Sequence, residues 1–181
     1  TKVWCDEFDD ARKAVDDSLT KLRTDYIDLV LLHWPYGNVY AAWRELEKMY
    51  REGLIRAIGV SNFNTDRLID LVRYNEVVPA VNQIETNLTA QRHEEHEWMV
   101  RLGIQHEGYM PFSQGRMNEV FDEPSLVAIA EKHGKSVRQV ALRYQVQCGV
   151  IVIPKSVHRE RIQANADIFD FELSLEEMAA I

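Results

Sequence analysis

Tyr26-Ile27-Asp28-Leu29-Val30-Leu31-Leu32 runs straight into His33-Trp34-Pro35, an apolar stretch stopped by a polar, ligand-capable residue. The same construction recurs four more times. Ile55-Arg56-Ala57-Ile58-Gly59-Val60 ends in Ser61-Asn62-Phe63, and Val78 to Val81 leads into Asn82-Gln83-Ile84-Glu85. Ile104 to Gly108 reaches Tyr109, and Val150-Ile151-Val152-Ile153 ends in Pro154-Lys155-Ser156. Strands of a parallel sheet are covered on both faces, so they read as nearly continuous apolar runs, and their ligand sites gather at the carboxyl ends. A polar residue at the same end of every run predicts one active-site mouth.

Between these runs lie helical patterns. Ala11, Val15, Ser18-Leu19 and Leu22 form one stripe near the 3.6-residue period, and Trp43, Leu46 and Tyr50 form another. Thr65 to Tyr74 carries Leu68, Leu71 and Val72 on one side, and Ser125 to His133 stops at Gly134. Ser136-Val137-Arg138-Gln139 and Ser174-Leu175-Glu176-Glu177 are capping-box patterns; the first opens a helix with Val140, Ala141 and Tyr144 facing inward. Alternation of strand and helix implies a parallel sheet with right-handed crossovers, either an open doubly wound sheet or a (β/α)8 barrel. No linker or low-complexity segment interrupts the chain, which reads as a single domain over residues 1–181. Five full strands are legible, with Thr1 to Trp4 as the tail of a sixth; a barrel needs eight, so either the sheet is open or the chain continued upstream.

The bulk properties restrict function. With 181 residues, 46% apolar and 28% charged, the chain has the composition of an ordinary globular protein. A net charge of −8 argues against nucleic acid and acidic membranes as partners. No run approaches the roughly 20 apolar residues of a membrane span, and the start does not read as a signal peptide. Cys5 and Cys148 lack metal-ligand spacing and read as reduced thiols, which predicts a cytoplasmic setting.

Several residues can do chemistry. Lys155-Ser156, followed by Arg159 and Arg161, is a basic cluster where the last strand gives way to a helix whose first turn includes His158 to Arg161. Backbone N–H groups at a helix start favour an anion, and Arg supplies a bidentate fork for phosphate. Asn165 falls one turn after Arg161 on the same helix face. His33 can hydrogen-bond a carbonyl oxygen or relay a proton, and Trp34 offers a flat apolar wall for a substrate. Asn62 and Gln83 carry amides that donate and accept at once, as recognition of a carboxamide demands. Tyr109 can act as a stacking platform. His93-Glu94-Glu95-His96 lacks the two-His spacing of a zinc-protease helix, and no metal is expected there. Phosphate clamp, amides, aromatic platform and His together describe a nicotinamide dinucleotide laid across strand ends.

These runs resemble the aldo-keto reductase family over essentially the whole chain. The likeness is carried by Leu32-His33-Trp34-Pro35, by Gly53 with Ile55 to Phe63, by Val81-Asn82-Gln83-Ile84-Glu85, and by Tyr109 with Pro111. Gly134-Lys135-Ser136 with Gln139-Val140, and Ile153-Pro154-Lys155-Ser156 with Arg161-Ile162 and Asn165, complete it. The resemblance implies a parallel (β/α)8 TIM barrel, of which this chain supplies roughly strands 3 to 8, and NADPH-dependent reduction of small aldehydes or ketones to alcohols by a monomeric enzyme. It also implies roles. Lys2 matches the active-site lysine and His33 the active-site histidine. Ser61, Asn62 and Gln83 would hold the nicotinamide carboxamide and Tyr109 would stack under its ring. Lys155, Ser156 and Arg161 would bind the 2′-phosphate, and Asn165 the adenine.

The departures are equally specific. The family's catalytic tyrosine and aspartate precede the lysine motif, and none of Tyr26, Tyr36, Tyr40, Tyr50, Tyr74, Tyr109 and Tyr144 matches that position. Residues 1–181 alone are therefore expected to be an incomplete barrel without reductase activity. Met110 stands where the family has serine, and Ala164 where it has Glu or Gln. The chain is also expected to stop before the family's C-terminal loop, and the short loop Tyr36 to Tyr40 resembles bacterial members acting on small or sugar-derived carbonyls. The alternative readings are a non-catalytic NADPH-binding relative and an inactive truncated barrel.

Overall fold

The computed structural model describes residues 1–4, 10–115 and 118–181. Six strands, all parallel, alternate with helices: β1 Lys2–Val3, α1 Asp10–Leu22, β2 Ile27–Leu32, α2 Val39–Arg51, β3 Ile55–Ser61, α3 Thr65–Tyr74, β4 Val81–Glu85, α4 His93–Leu102 and β5 Gln105–Tyr109 come first. Then follow a 3-10 turn at Ser113–Gly115, α5 Asn118–Phe121, α6 Pro124–His133, α7 Val137–Gln147, β6 Ile151–Val152, α8 Arg159–Ala166 and α9 Leu175–Ala180. Two compact units divide the chain: Thr1–Ile84 with His93–His106, and Glu85–Arg92 with Glu107–Ile181.

In the first unit β1, β2, β3 and β4 pair in chain order, each parallel to the next, in registers that set Lys2 opposite Leu31 and Ser61 opposite Gln83. The apolar runs that predicted these strands supply its core: Val30, Leu32, Ile55, Ile58 and Val60 pack with Trp43, Leu46 and Met49 of α2 and with Leu68 and Leu71 of α3. Gly59 is required by the closeness of this packing, since a Cβ there would stand 2.6 Å from the Val81 carbonyl oxygen and 2.7 Å from Leu31 Cδ2. In the second unit the end of β5 pairs with β6, Glu107 opposite Ile151. A separate core forms there from Leu126, Ile129, Val140, Ala141, Tyr144 and Leu173.

The helix ends follow the sequence closely. Gly134 takes the left-handed conformation that closes α6, at φ 62. Both expected capping boxes form, Ser136 with Gln139 and Ser174 with Glu177. Five expectations are corrected. Leu22 ends its helix exposed, and Tyr50 is exposed while its neighbour Met49 turns into the core, because the α2 stripe advances Trp43, Leu46, Met49 and a Tyr keeps its hydroxyl wet. Asn82 and Gln83 lie inside β4 rather than beyond it, with the strand starting at Val81. The last strand is shorter than its apolar run, and the helix after it starts at Arg159 with His158 as its cap residue. Cys5 lies outside the described residues; no helix among those described is long and apolar enough to cross a membrane.

Candidate active site and anion cradle

In the first unit the carboxyl ends of the strands are stitched together by their own polar groups. Lys2, on β1, donates from Nζ to Ser61 Oγ at 3.3 Å. Ser61 ends β3 fully buried and donates in turn to the Gln83 carbonyl at 2.9 Å. Asn62 adopts φ 62, a left-handed conformation that Asn tolerates better than most residues. That turn lets its backbone N–H donate to the same Gln83 carbonyl at 2.9 Å, and its side-chain Nδ2 to the His33 carbonyl at 3.0 Å and Ser61 Oγ at 3.2 Å. The amide expected to face a ligand is thus also a brace between strand ends. Gln83 is buried in β4, beside Asn82, whose Nδ2 donates to the Phe63 carbonyl at 2.9 Å.

His33 follows β2, held by its N–H to the Val3 carbonyl at 3.0 Å. Its ring meets Trp4 edge-on, with centroids 4.8 Å apart, and stacks loosely on Trp34 at 6.0 Å. Trp34 in turn stacks on Tyr36 at 5.6 Å, with the ring planes within 6°. Burial lowers the His33 pKa below its ordinary value, and the Lys2 ammonium lowers it further. The imidazole is therefore neutral at pH 7, with one nitrogen able to donate and the other to accept.

In the second unit Tyr109 closes β5, its carbonyl accepting from Thr86 N–H at 3.1 Å. Burial raises its pKa, as does the Glu85 carboxylate, while Arg92 opposes them, so the phenol is uncharged. Met110 follows at φ 53, its carbonyl accepting from the buried Asn87 amide at 3.4 Å.

The same unit holds a cavity of about 380 Å³ between the N-terminal turn of α7 and α8. Lys155, Ser156, Arg161 and Asn165 all line it, so four of the residues read from sequence come together, with Ala164 between the last two. Arg161 and Asn165 share the inward face of α8 because they are four apart on a helix. Ser156 Oγ accepts from His158 N–H at 3.1 Å, folding the chain into α8. Tyr109 is not among the lining residues. Four others were not read as ligand groups: Phe112, Ser136, Arg138 and Gln139. The capping box of α7 announced Ser136 and Gln139 only as a helix start; its place beside α8 comes from Gln139 Nε2 donating to the Asp167 carbonyl at 2.8 Å.

His96 packs its Nδ1 3.1 Å from His106 Nδ1, and among the described residues no group of three His, Cys, Asp or Glu is arranged to hold a metal ion.

A family model described as the aldo/keto reductase family matches residues 2–181. Glyoxal reductase of Bacillus subtilis (strain 168) is 46% identical over 184 residues, covering 100% of this chain and 66% of that protein. Methylglyoxal reductase DkgA of Escherichia coli (strain K12) is 40% identical, with the same coverage of 100% and 66%. Among solved structures, MGS-M4, an aldo-keto reductase from a Medee basin deep-sea metagenome library, superposes with a TM-score of 0.96 at 38% identity, covering 99% of this chain and 68% of that one. A Bombyx mori aldo-keto reductase in complex with NADP gives 0.93 at 39% identity, covering 99% and 65%. The chain spans 66% and 65% of the length of the first two curated relatives it matches.

Proposed function

The chain belongs to the aldo/keto reductase family, a family of (β/α)8 barrels, and from that premise we propose that it is part of an NADPH-dependent reductase of small carbonyl compounds. The observation that carries the reading is the bonded set Lys2, Ser61, Asn62 and His33, in which an ammonium and a neutral imidazole share one strand-end cluster. The cofactor, when bound, supplies a hydride from nicotinamide C4 to the carbonyl carbon. The residues present suit it: Lys155 and Arg161 open onto a cavity with no carboxylate in its described wall, as a phosphate group requires.

Within that reading His33 holds the carbonyl oxygen through its neutral imidazole, and Trp34 walls the substrate. Lys2 keeps positive charge beside the reacting oxygen and beside the tyrosine that the family resemblance makes the proton donor. Ser61, Asn62 and Gln83 receive the carboxamide, and Tyr109 offers an uncharged ring for stacking. Lys155, Ser156 and Arg161 take the 2′-phosphate, and Asn165 the adenine, with Ala164 contributing no polar contact. The relatives named for glyoxal and methylglyoxal support a small dicarbonyl as substrate. A cytoplasmic monomer without nucleic-acid partners belongs to the same reading, the last point supported by the net charge of −8.

The test is NADPH oxidation by the intact protein with glyoxal and methylglyoxal. Turnover is expected. NADPH binding without turnover of either substrate or of a simple aldehyde would instead identify a non-catalytic relative.

A further inference from the structure

Arg138 is the second residue of α7 and is exposed, yet it lines the same cavity as Lys155 and Arg161. A cation in the first turn of a helix opposes the macrodipole, an arrangement that improves when an anion is held beside it. The guanidinium carbon of Arg138 lies 4.6 Å from the centroid of the Phe121 ring. That contact covers one face of the guanidinium plane and limits its rotation, while the N–H groups around its rim stay available. Three other cations of this unit have carboxylate partners, Lys135 with Asp167 and Asp170, Arg143 with Glu172, and Lys132 with Glu177, while Arg159, which does not line the cavity, has none among the described carboxylates. Arg138, Lys155 and Arg161 pair with no described carboxylate. In a chain with a net charge of −8, three such cations around one cavity describe a site that takes a dianion.

We propose that Arg138 is a further cofactor-binding residue, pairing with the 2′-phosphate of NADPH alongside Lys155 and Arg161 and widening the preference for NADPH over NADH. This rests on the NADPH reading above. Its exposure makes it a residue of affinity rather than of folding, since its side chain can be replaced without opening a core.

Dissociation constants for NADPH and NADH, read from fluorescence of the intact protein, test it in the parent, Arg138→Gln and Arg138→Lys. Arg138→Gln is expected to weaken NADPH about tenfold and to leave NADH within about twofold, the loss of one charge-assisted pair. The salt dependence of NADPH binding becomes shallower in the same variant, and Arg138→Lys falls between it and the parent. Unfolding midpoints of all three proteins should coincide. If the parent prefers NADPH and Arg138→Gln keeps the full preference, or weakens both cofactors alike, Arg138 does not read the phosphate. A parent that binds both cofactors equally would overturn the 2′-phosphate reading itself, and this proposal with it.

Discussion

The two units solve opposite problems with polar residues. In the first, Ser61 is 0% and Gln83 6% exposed, and Lys2, Ser61 and Asn62 are bonded to one another and to the backbone carbonyls of His33 and Gln83 before any ligand arrives. In the second, Lys155, Arg161 and Arg138 are exposed and share a cavity without a described counter-charge. A buried network is rigid and expensive to disturb, because each removed partner strands another polar group away from water. Exposed cations cost little to hold apart and deliver their energy only when an anion is bound. Changes in the first unit should therefore appear in kcat and in folding, and changes in the second in cofactor affinity and its salt dependence.

The largest expected effect is at His33. His33→Ala in the intact protein should lower kcat by about 10²–10⁴, the usual range for a positioned proton-transfer or hydrogen-bonding group, with NADPH affinity nearly unchanged. The pH profile sharpens the point. Since burial and Lys2 both hold the His33 pKa below its ordinary value, the neutral form persists to lower pH and activity should fall only below about pH 6.5. Lys2→Met removes one of these causes, so whatever activity survives should lose its acid limb at higher pH than the parent. Parental turnover by a folded His33→Ala would reduce that residue to packing.

Gly59→Ala probes the tightness of the first unit directly. The added methyl meets a carbonyl oxygen of the neighbouring strand, which cannot move without disturbing the β3–β4 pairing. A loss of about 2–3 kcal/mol in chemical denaturation is expected, in the range of overpacked cores. A stable variant would mean that the strands have slack.

This contrast also explains what could be read in advance. Most strand runs were legible because a strand covered on both faces must be apolar, and because polar residues tolerated at its end have few reasons to be there; β5, which reads Gln105-His106-Glu107-Gly108-Tyr109, departs from that pattern. The α8 half of the cradle was legible from the four-residue spacing of Arg161 and Asn165. Arg138 was not, since an arginine in a capping box looks like any solvated charge until α7 is placed beside α8. The His96–His106 contact was equally hidden, because nothing local links a helix histidine to one on the next strand. Tyr50 and Met49 show the limit of periodicity: a shift of one residue rotates the helix face by about 100°, which a stripe of three apolar residues does not resolve.

In the second unit, Arg161→Ala should weaken NADPH about tenfold while sparing NADH, with kcat at saturating cofactor close to parental. Raising ionic strength should weaken parental NADPH binding and narrow the gap to the variant. A fall in kcat as large as that in affinity would mean that the cradle is as prewired as the cluster around Ser61, and the distinction between the units would fail.

The smallest expected effect belongs to Glu177, the second unit's counterpart to the buried network. Its carboxylate accepts from Lys132 Nζ and from Ser174 N–H, both at 2.7 Å, and from His133 Nε2 at 3.1 Å, which ties α9 to α6. Lys132 is the leading cause of a pKa held down at about 2, with Ser174 and His133 assisting. A carboxylate whose folded pKa is depressed contributes stability above the unfolded value, near 4.5, and loses it as the pH falls from there toward 2. Because Lys132 is mostly exposed, the pair is worth only about 1 kcal/mol. Glu177→Gln keeps the capping-box geometry with Ser174 but removes the charge. Hydrogen exchange of the α9 amides should therefore be faster in the variant than in the parent at pH 7, and the two should converge only as the pH falls to about 2. Equal protection at both pH values would show that α9 is held by its apolar contacts alone, and that the ionic part of this unit's wiring acts on ligands and not on its own fold.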